Sequence, residues 1–289
     1  NIREAFLTNI KVEAPGPAVK FYTQRQATSS PFAFTMGAEY SFNGAIELPR
    51  VGEELSEKYP HLLRRAYFRE EMVGRLEELL FGPSQNSLVL LGPVGSGRHT
   101  LLEEAFYRRL DQQEGKDRSQ LSQGWVVDPN RVIAGMSYVG QWEKRMEAII
   151  DHLRKRKGPG RPPDKLIFDN PLPLLSIGSS ASSKLVLSDL LKVYLEKRQL
   201  QVVLIATPEQ WQVMQEKDRR FSNLFQVLRV PEATEEEAFR MMIAYQRRLE
   251  EQSGCVFMME ALLQLQDLRR GFYRSQALPG SLIRMLDQI

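Results

Sequence analysis

The chain has 289 residues, of which 42% are hydrophobic and 26% are charged. This composition supports a sizeable buried core and argues against an intrinsically disordered chain. The net charge is only +3, from 39 basic and 36 acidic residues. The molecule as a whole therefore gives no electrostatic reason to expect a nucleic-acid partner.

Cysteine content and hydropathy indicate the compartment. The single cysteine, Cys255, excludes an internal disulfide and fits a reducing environment. It lies in the apolar run 255–259, which predicts a buried position. No apolar stretch approaches the roughly 18 residues of a membrane helix, and no signal peptide is visible. We therefore expect a cytoplasmic protein. Because the chain starts at Asn1 and stops at Ile289 within a helical pattern, we treat it as part of a longer one.

The first third of the chain mixes turn-forming and apolar residues. Residues 1–50 carry β-branched and aromatic residues interrupted by proline and glycine, which predicts an extended or strand-rich extension with a hairpin near residues 42–44. Residues 62–80 have apolar side chains at helical spacing and stop at Gly82-Pro83, which predicts a helix.

The remaining elements alternate. Helical patterns separate short apolar runs, which lie at residues 87–91, 125–127, 166–168, 202–206 and 226–230. Such alternation predicts a parallel sheet with helices on both faces. After Pro231 the pattern is purely helical and opens with a capping box at residues 234–237. The sequence therefore predicts a large α/β domain over residues 51–231 and a small α-helical domain over residues 232–289.

A glycine-rich segment between the first apolar run and a helix carries the clearest chemistry. Residues 92–100 read Gly-Pro-Val-Gly-Ser-Gly-Arg-His-Thr, a P-loop pattern in which glycines let the backbone wrap a phosphate. A P-loop ends Gly-Lys-Ser/Thr, but here Arg98 replaces the lysine and His99 replaces the magnesium-binding hydroxyl. The candidate phosphate-binding residues are Gly92, Gly95, Ser96, Gly97, Arg98, His99 and Thr100. The alternative is a strand-to-helix turn that binds nothing.

A second motif follows about 70 residues later. The apolar run at residues 166–168 ends in Asp169, which could hold magnesium at the carboxyl edge of the sheet. An aspartate at a strand end is otherwise a common cap. The pair of motifs at this spacing is more specific than either alone.

The order of motifs resembles the first ATPase domain of Clp-type AAA+ unfoldases and disaggregases over residues 65–289. Arg69-Glu70-Glu71 is similar to the opening Gly-Arg-Glu-Glu-Glu motif of that family, with Phe68 at the glycine position. Residues 137–145 resemble its Lys-Tyr-Arg-Gly-Glu-Phe-Glu-Glu-Arg stretch. Further similar segments are the sensor-one turn, the approach to the last strand and the start of the lid helix, at residues 206–209, 216–227 and 278–281.

The resemblance implies a fold and a set of partners. It implies a P-loop AAA+ domain with a helical lid that binds ATP or ADP with magnesium, and it places Thr207 near a γ-phosphate. It also implies a homo-oligomeric, hexameric ring, polypeptide substrates, a Clp-like protease partner and no nucleic acid. The implied substrate pore loop comprises Tyr138, Val139 and Gly140, although Tyr138 could equally be an ordinary exposed loop residue.

Several positions depart from the family pattern. Asn170 stands where the family has a glutamate that polarises water, and a general base is worth roughly 10²–10⁴ in rate. Asn223 and Leu224 stand where it has paired arginine fingers, each finger being worth roughly 10³–10⁵. The lid differs at Gly280-Ser281. Together these changes favour a pseudo-ATPase with weak or lost nucleotide binding, little or no hydrolysis and no assignable catalytic residue.

Two alternatives remain open at this stage. The first is a divergent but working ATPase in which Arg98 and Asp169 suffice. The second is a DNA-associated AAA+ protein of the clamp-loader or initiator kind, against which the near-neutral charge and residues 137–140 argue. In the pseudo-ATPase interpretation, an active second ATPase domain is expected beyond Ile289.

Overall fold

A computed structural model describes most of the chain beyond residue 40. The described residues are 41–84, 86–113, 115, 121–136, 140–156, 161–179, 184–273 and 276–288. Most of the predicted extension over residues 1–50 therefore lies outside them. Within these ranges, no helix is long and apolar enough to cross a membrane.

Helices and strands alternate through the first part of the described chain, and helices alone follow. The elements are α1 (Gly44–Val51), β1 (Gly52–Glu54), α2 (Glu70–Phe81), β2 (Ser87–Leu91), α3 (Arg98–Asp111), β3 (Gly124–Val127), α4 (Pro129–Ile133), α5 (Gln141–Lys155), β4 (Lys165–Asp169), α6 (Leu187–Glu196), β5 (Gln201–Ala206), α7 (Pro208–Lys217), α8 (Arg219–Ser222), β6 (Phe225–Arg229), α9 (Glu235–Ser253), α10 (Met259–Phe272) and α11 (Gly280–Leu286). Short 3-10 turns span Leu55–Lys58 and Leu172–Leu175.

The strands form one six-stranded sheet in the order β1-β3-β4-β5-β2-β6. Strands β2 to β6 are mutually parallel, and the short edge strand β1 runs antiparallel to β3. The predicted parallel sheet is confirmed, with β1 as an antiparallel addition. This order places the carboxyl ends of β4, β5 and β2 side by side, so the segments that follow these strands meet at one edge of the sheet.

Both faces of the sheet are covered. Along β2, Leu88 and Leu90 pack on one side with α2 and α3, whereas Val89 and Leu91 pack on the other with α1, α5 and α6. The full burial of β2 explains why it is a continuous apolar run. Helices α9, α10 and α11 enclose a separate apolar cluster of their own. That arrangement is consistent with a small helical lid, whose boundary between residues 231 and 232 stays a prediction.

The hairpin expected near residues 42–44 is wrong. Asn43 instead caps α1, where its side-chain oxygen accepts a hydrogen bond from the amide of Ala45 at 3.0 Å. Asparagine is among the best helix N-caps, so the Asn-Gly pair begins a helix rather than a turn. The helix is held by a long-range contact, because Arg145 of α5 donates to the buried carboxylate of Glu47 at 2.6 Å.

Two further expectations from apolar patterns are wrong. The helix predicted over residues 62–80 begins only at Glu70, because the amides of Arg64 and Ala66 donate to carboxylates of α3 rather than to helix carbonyls. The cysteine expected in the core is exposed. Cys255 follows Gly254, which ends α9 with a φ of 70°. In the segment that connects α9 to α10, Phe257 is the residue that packs against the apolar cluster of the three C-terminal helices.

Phe68 adopts a backbone conformation that suits glycine. Its φ is 55°, in the left-handed region, and its side chain is 55% exposed. The Clp-type opening motif has glycine at this position, and the backbone geometry gives a physical reason for it. The strain that a Cβ adds here is about 1–2 kcal/mol.

Replacing Phe68 with glycine is expected to raise the free energy of unfolding. Relief of the left-handed strain exceeds the extra flexibility that glycine gives the unfolded chain, for a net gain of about 0.5–1 kcal/mol. Urea denaturation measures the change. Leu263→Gly is the matched control, because Leu263 is similarly exposed but lies within helix α10, where glycine should cost about 1 kcal/mol. Destabilisation by both variants would contradict the account.

Candidate nucleotide-binding site

The glycine-rich segment forms a loop between β2 and α3, in the strand–loop–helix context that the motif predicts. Gly95 and Gly97 have φ values of 97° and 95°. A Cβ on Gly95 would lie 2.7 Å from the carbonyl oxygen of Ala277, whereas one on Gly97 would meet nothing within 4 Å. The backbone around Gly97 therefore faces open space. The first turn of α3 has no acidic residue of its own to oppose the positive potential of the helix N-terminus.

A cleft of about 770 Å³ opens beside this loop. Such a volume is typical of pockets for nucleotide-sized molecules. The loop forms the floor, the segment before α2 forms one wall, and helices α9 and α11 form the other. The candidate residues Gly95, Ser96, Gly97, Arg98, His99 and Thr100 all line it, whereas Gly92 lies outside the lining.

The segment before α2, which forms one wall of the cleft, is hydrogen-bonded to the buried carboxylate of Glu104 on α3. Glu104 accepts hydrogen bonds from Arg65 at 2.7 Å, from Arg108 at 2.9 Å and from the amide of Ala66 at 3.1 Å. Burial alone would raise the pKa of Glu104, but these bonds outweigh it and the pKa lies below its ordinary value. Sequence reasoning missed this contact. The sequence hints at this contact only through the acidic pair Glu103-Glu104, which lies between Leu102 and Ala105 on α3.

The same wall also contacts the lid. Arg248 of α9 donates to the carbonyl of His61 at 2.9 Å. Elsewhere in the cleft lining, the hydroxyl of Tyr245 donates to the carboxylate of Asp287 at 2.6 Å. Burial and this bond raise the pKa of Tyr245 to about 12, so the phenol keeps its proton. These lid residues carry no motif signal and were not predicted.

The lid touches the glycine-rich loop through its backbone. The amide of Ala277 donates to the carbonyl of Val94 at 3.3 Å, and the amide of Gly280 donates to the carbonyl of Gly95 at 2.9 Å. A Cβ on Gly280 would lie 2.6 Å from the Cα of Gly95. The glycine that departs from the family pattern is thus the residue that permits this close approach.

Arg98 places a buried positive charge at the cleft. The residue is only 7% exposed and lines the cleft, and its guanidinium has no hydrogen-bond acceptor within the described part of the chain. Burial lowers the pKa of Arg98, an effect that the charges of Asp169 and Glu209 only partly offset. Arginine nevertheless stays protonated in proteins. A buried cation that faces open space in this way is suited to an anion.

The imidazole of His99 occupies the position of the usual hydroxyl and reaches the end of β4. Its Nε2 lies 2.9 Å from Oδ2 of Asp169. The hydrogen bond from His99, with the charge of Arg98, holds the pKa of Asp169 below its ordinary value. The carboxylate is therefore ionised and can only accept, so Nε2 carries the proton and has no lone pair for a metal.

These residues do not fit a magnesium ion. Magnesium takes oxygen ligands in near-octahedral geometry, and here the hydroxyl is replaced by a nitrogen that is already committed to Asp169. Among the residues that the structure describes, no group of three or more His, Cys, Asp or Glu is arranged to hold a metal ion. The imidazole that replaces the hydroxyl ligand also occupies Oδ2 of Asp169, so both of the usual protein ligands are altered.

The residues predicted to act on a γ-phosphate or water lie beside the cleft rather than in its lining. Asn170 has a φ of 60°, which asparagine tolerates, and its Oδ1 accepts from the amide of the Gln210 side chain at 3.0 Å. Thr207 caps α7, and its Oγ1 accepts from the backbone amide of Gln210 at 3.2 Å. A hydrogen bond from the Thr207 side chain also lowers the pKa of Glu209. The sensor-one role of Thr207 stays a prediction.

The finger and pore-loop positions are placed differently. Asn223 ends α8, and Leu224 packs against the core. Arg220, which precedes them, pairs with Glu196 at 3.0 Å. Tyr138 and Val139 lie outside the described residues, so the pore loop stays a prediction. Gly140 begins α5 with a φ of 90°.

Similarity to known proteins agrees with the fold and the motif order. No family model matches the chain. It is 26% identical over 220 residues to the chaperone protein ClpB of Aquifex aeolicus, covering 76% of this chain and 21% of that protein. It is also 26% identical over 220 residues to ClpE, the ATP-binding subunit of a Clp protease in Bacillus subtilis, covering 76% of this chain and 30% of that protein.

Solved structures show the same architecture. A structure of the Hsp104–casein complex from S. cerevisiae superposes with a TM-score of 0.68 at 20% identity, covering 84% of this chain and 40% of the Hsp104 chain. The chain thus spans less than half of the proteins that it resembles. The parallel sheet, the order of the motifs and these similarities lead to one conclusion: the chain has the AAA+ fold and is similar in sequence to Clp-type chaperones and unfoldases.

Proposed function

We propose that this chain is a ring-building module of a Clp-like protein unfoldase or chaperone that binds a nucleotide but hydrolyses it slowly or not at all. The observation that carries the proposal is the cleft beside the glycine-rich loop, where the buried cation of Arg98 faces open space. The same cleft has lost the groups that hydrolysis uses.

The cleft supports nucleotide binding through two kinds of surface. The backbone at Gly97 and the first turn of α3 offer amides and positive potential to phosphates, and Arg98 adds a full charge. The walls contribute apolar side chains for the base and ribose, among them Met241 and Ile283. ATP or ADP is the ligand class that fits both surfaces.

Loss of hydrolysis follows from the substituted positions. The amide of Asn170 cannot take a proton from water, and Thr207 already bonds its own helix. Asn223 and Leu224 offer no positive charge to a neighbouring protomer. Because residues that act as one unit do not contribute multiplicatively, no summed rate follows from these losses.

The role in the whole protein follows the relatives. We place the module in a cytoplasmic hexameric ring of identical chains, where bound nucleotide stabilises contacts between protomers. Polypeptide substrates would pass the pore loop at Tyr138, with another ATPase domain driving the movement. The solved Hsp104 complex contains casein, and ClpE is named as a protease subunit, so a polypeptide substrate and a Clp-like protease are the partners we propose.

A working ATPase is the second candidate. It is favoured by the position of Asp169, which ends β4 beside the glycine-rich loop and is ionised. A DNA-associated role has no such support, because the net charge is only +3.

Binding and turnover measured side by side distinguish the two candidates. We expect a fluorescent ATP analogue to bind the chain while phosphate release stays at the buffer background, since no proton acceptor stands at position 170. Ordinary enzymes turn over at about 1 s⁻¹ or faster. Phosphate release in that range would identify an enzyme if Asp169→Ala abolished it.

Arg98→Met is expected to weaken binding of the ATP analogue by about 10- to 100-fold, because a hydrogen bond to a charged group contributes about 1.5–3 kcal/mol. Methionine keeps the buried stem and removes an unpaired buried charge, so the melting temperature should hold or rise. Arg75→Met removes an equal charge from the exposed face of α2 and serves as the control. Equal affinity of both variants would exclude Arg98 as a phosphate ligand.

A further inference from the structure

The contact between His99 and Asp169 bears on how the phosphates would be held. In a working P-loop, a hydroxyl on the first turn of the helix and the strand-end aspartate together hold the magnesium ion that bridges two phosphates. Here the imidazole Nε2 of His99 lies 2.9 Å from Asp169, so the two groups satisfy each other. An imidazole thus stands at the position of the hydroxyl ligand and occupies one oxygen of the aspartate.

Charge at the site is consistent with the loss of the metal. Magnesium would neutralise the polyphosphate, and without it the protein must supply the positive charge. Arg98 keeps the positive charge of the P-loop lysine, at a position that is only 7% exposed and with no acceptor for its guanidinium in the described chain. The His99 imidazole also shields the carboxylate of Asp169 from an approaching phosphate.

We propose that this site takes the polyphosphate of a nucleotide without a divalent cation, with Arg98 in the place of the P-loop lysine and the hydrogen-bonded His99–Asp169 pair in the place of the hydroxyl and aspartate that would hold magnesium. This inference rests on the proposed nucleotide binding and deepens it. Its consequence is that nucleotide occupancy of the module is independent of magnesium, unlike that of a P-loop with an intact metal site.

The test is a titration of N-methylanthraniloyl-ATP into the chain, once in excess EDTA and once in excess magnesium chloride. We expect the two dissociation constants to agree within about twofold, a difference of less than 0.5 kcal/mol. In His99→Thr, which frees Asp169 and restores the hydroxyl, magnesium should tighten binding by about tenfold or more. The side chains of His99 and Asp169 are 36% and 54% exposed, so these substitutions leave the core intact.

A second variant tests the role of the Asp169 carboxylate. Asp169→Asn should strengthen metal-free binding, because it removes a negative charge near the phosphates. In a magnesium site the same change would weaken binding. Asp267→Asn, at an exposed position of α10 away from the cleft, is the matched control.

The outcomes distinguish failure of the metal-free site from failure of nucleotide binding itself. Binding by the unmodified chain that magnesium strengthens about tenfold or more, together with a loss in Asp169→Asn, would overturn the metal-free site and leave nucleotide binding standing. An absence of binding under both conditions would overturn the metal-free site and the proposed nucleotide binding together.

Discussion

The hydrogen bond between the imidazole of His99 and the carboxylate of Asp169 determines what the glycine-rich loop can hold. It joins the first turn of α3 to the end of β4 at 2.9 Å, across the point where a P-loop ordinarily gathers a metal ion. A carboxylate that already accepts from a neighbour, beside the cation of Arg98, has little attraction for magnesium. In the function proposed here, the site keeps its positive potential for phosphate without its metal ligands, which would separate binding from hydrolysis.

A nucleotide that is bound but not hydrolysed can still act on the rest of the module through the lid. The carbonyl groups of Val94 and Gly95 accept from the lid amides of Ala277 and Gly280. Phosphates placed against this loop would therefore lie within a few atoms of α11. Because the lid has its own apolar cluster, it can respond to the loop as a unit. In the proposed function, a retained nucleotide would act as a structural clamp.

Sequence patterns predicted the parts of the fold that depend on local periodicity. The buried strand β2, the loop after it and the capping box at Thr234 were all predicted, and each depends on residues adjacent in the chain. The motif order was likewise enough to identify the fold family. These features required no knowledge of which segments meet in space.

The parts that were not predicted depend on distant contacts. Residues 64–66 leave helical geometry because Glu103 and Glu104, almost forty residues away, take their amides. The bond from His99 to Asp169 joins residues seventy positions apart, so the sequence showed one substituted position and one retained aspartate but not that the two are in contact. The cap at Asn43 was overlooked because Asn-Gly is also a strong turn signal.

A single-turnover experiment shows whether the bound ATP is retained or hydrolysed. An excess of the chain is mixed with trace radiolabelled ATP, with and without magnesium, and quenched in acid at intervals so that bound ATP and ADP can be counted. The account predicts that the label stays in bound ATP for hours, whereas an enzyme turning over at about 1 s⁻¹ would convert it within seconds. Prompt conversion to ADP that Asp169→Ala stops would contradict the account and identify a working ATPase.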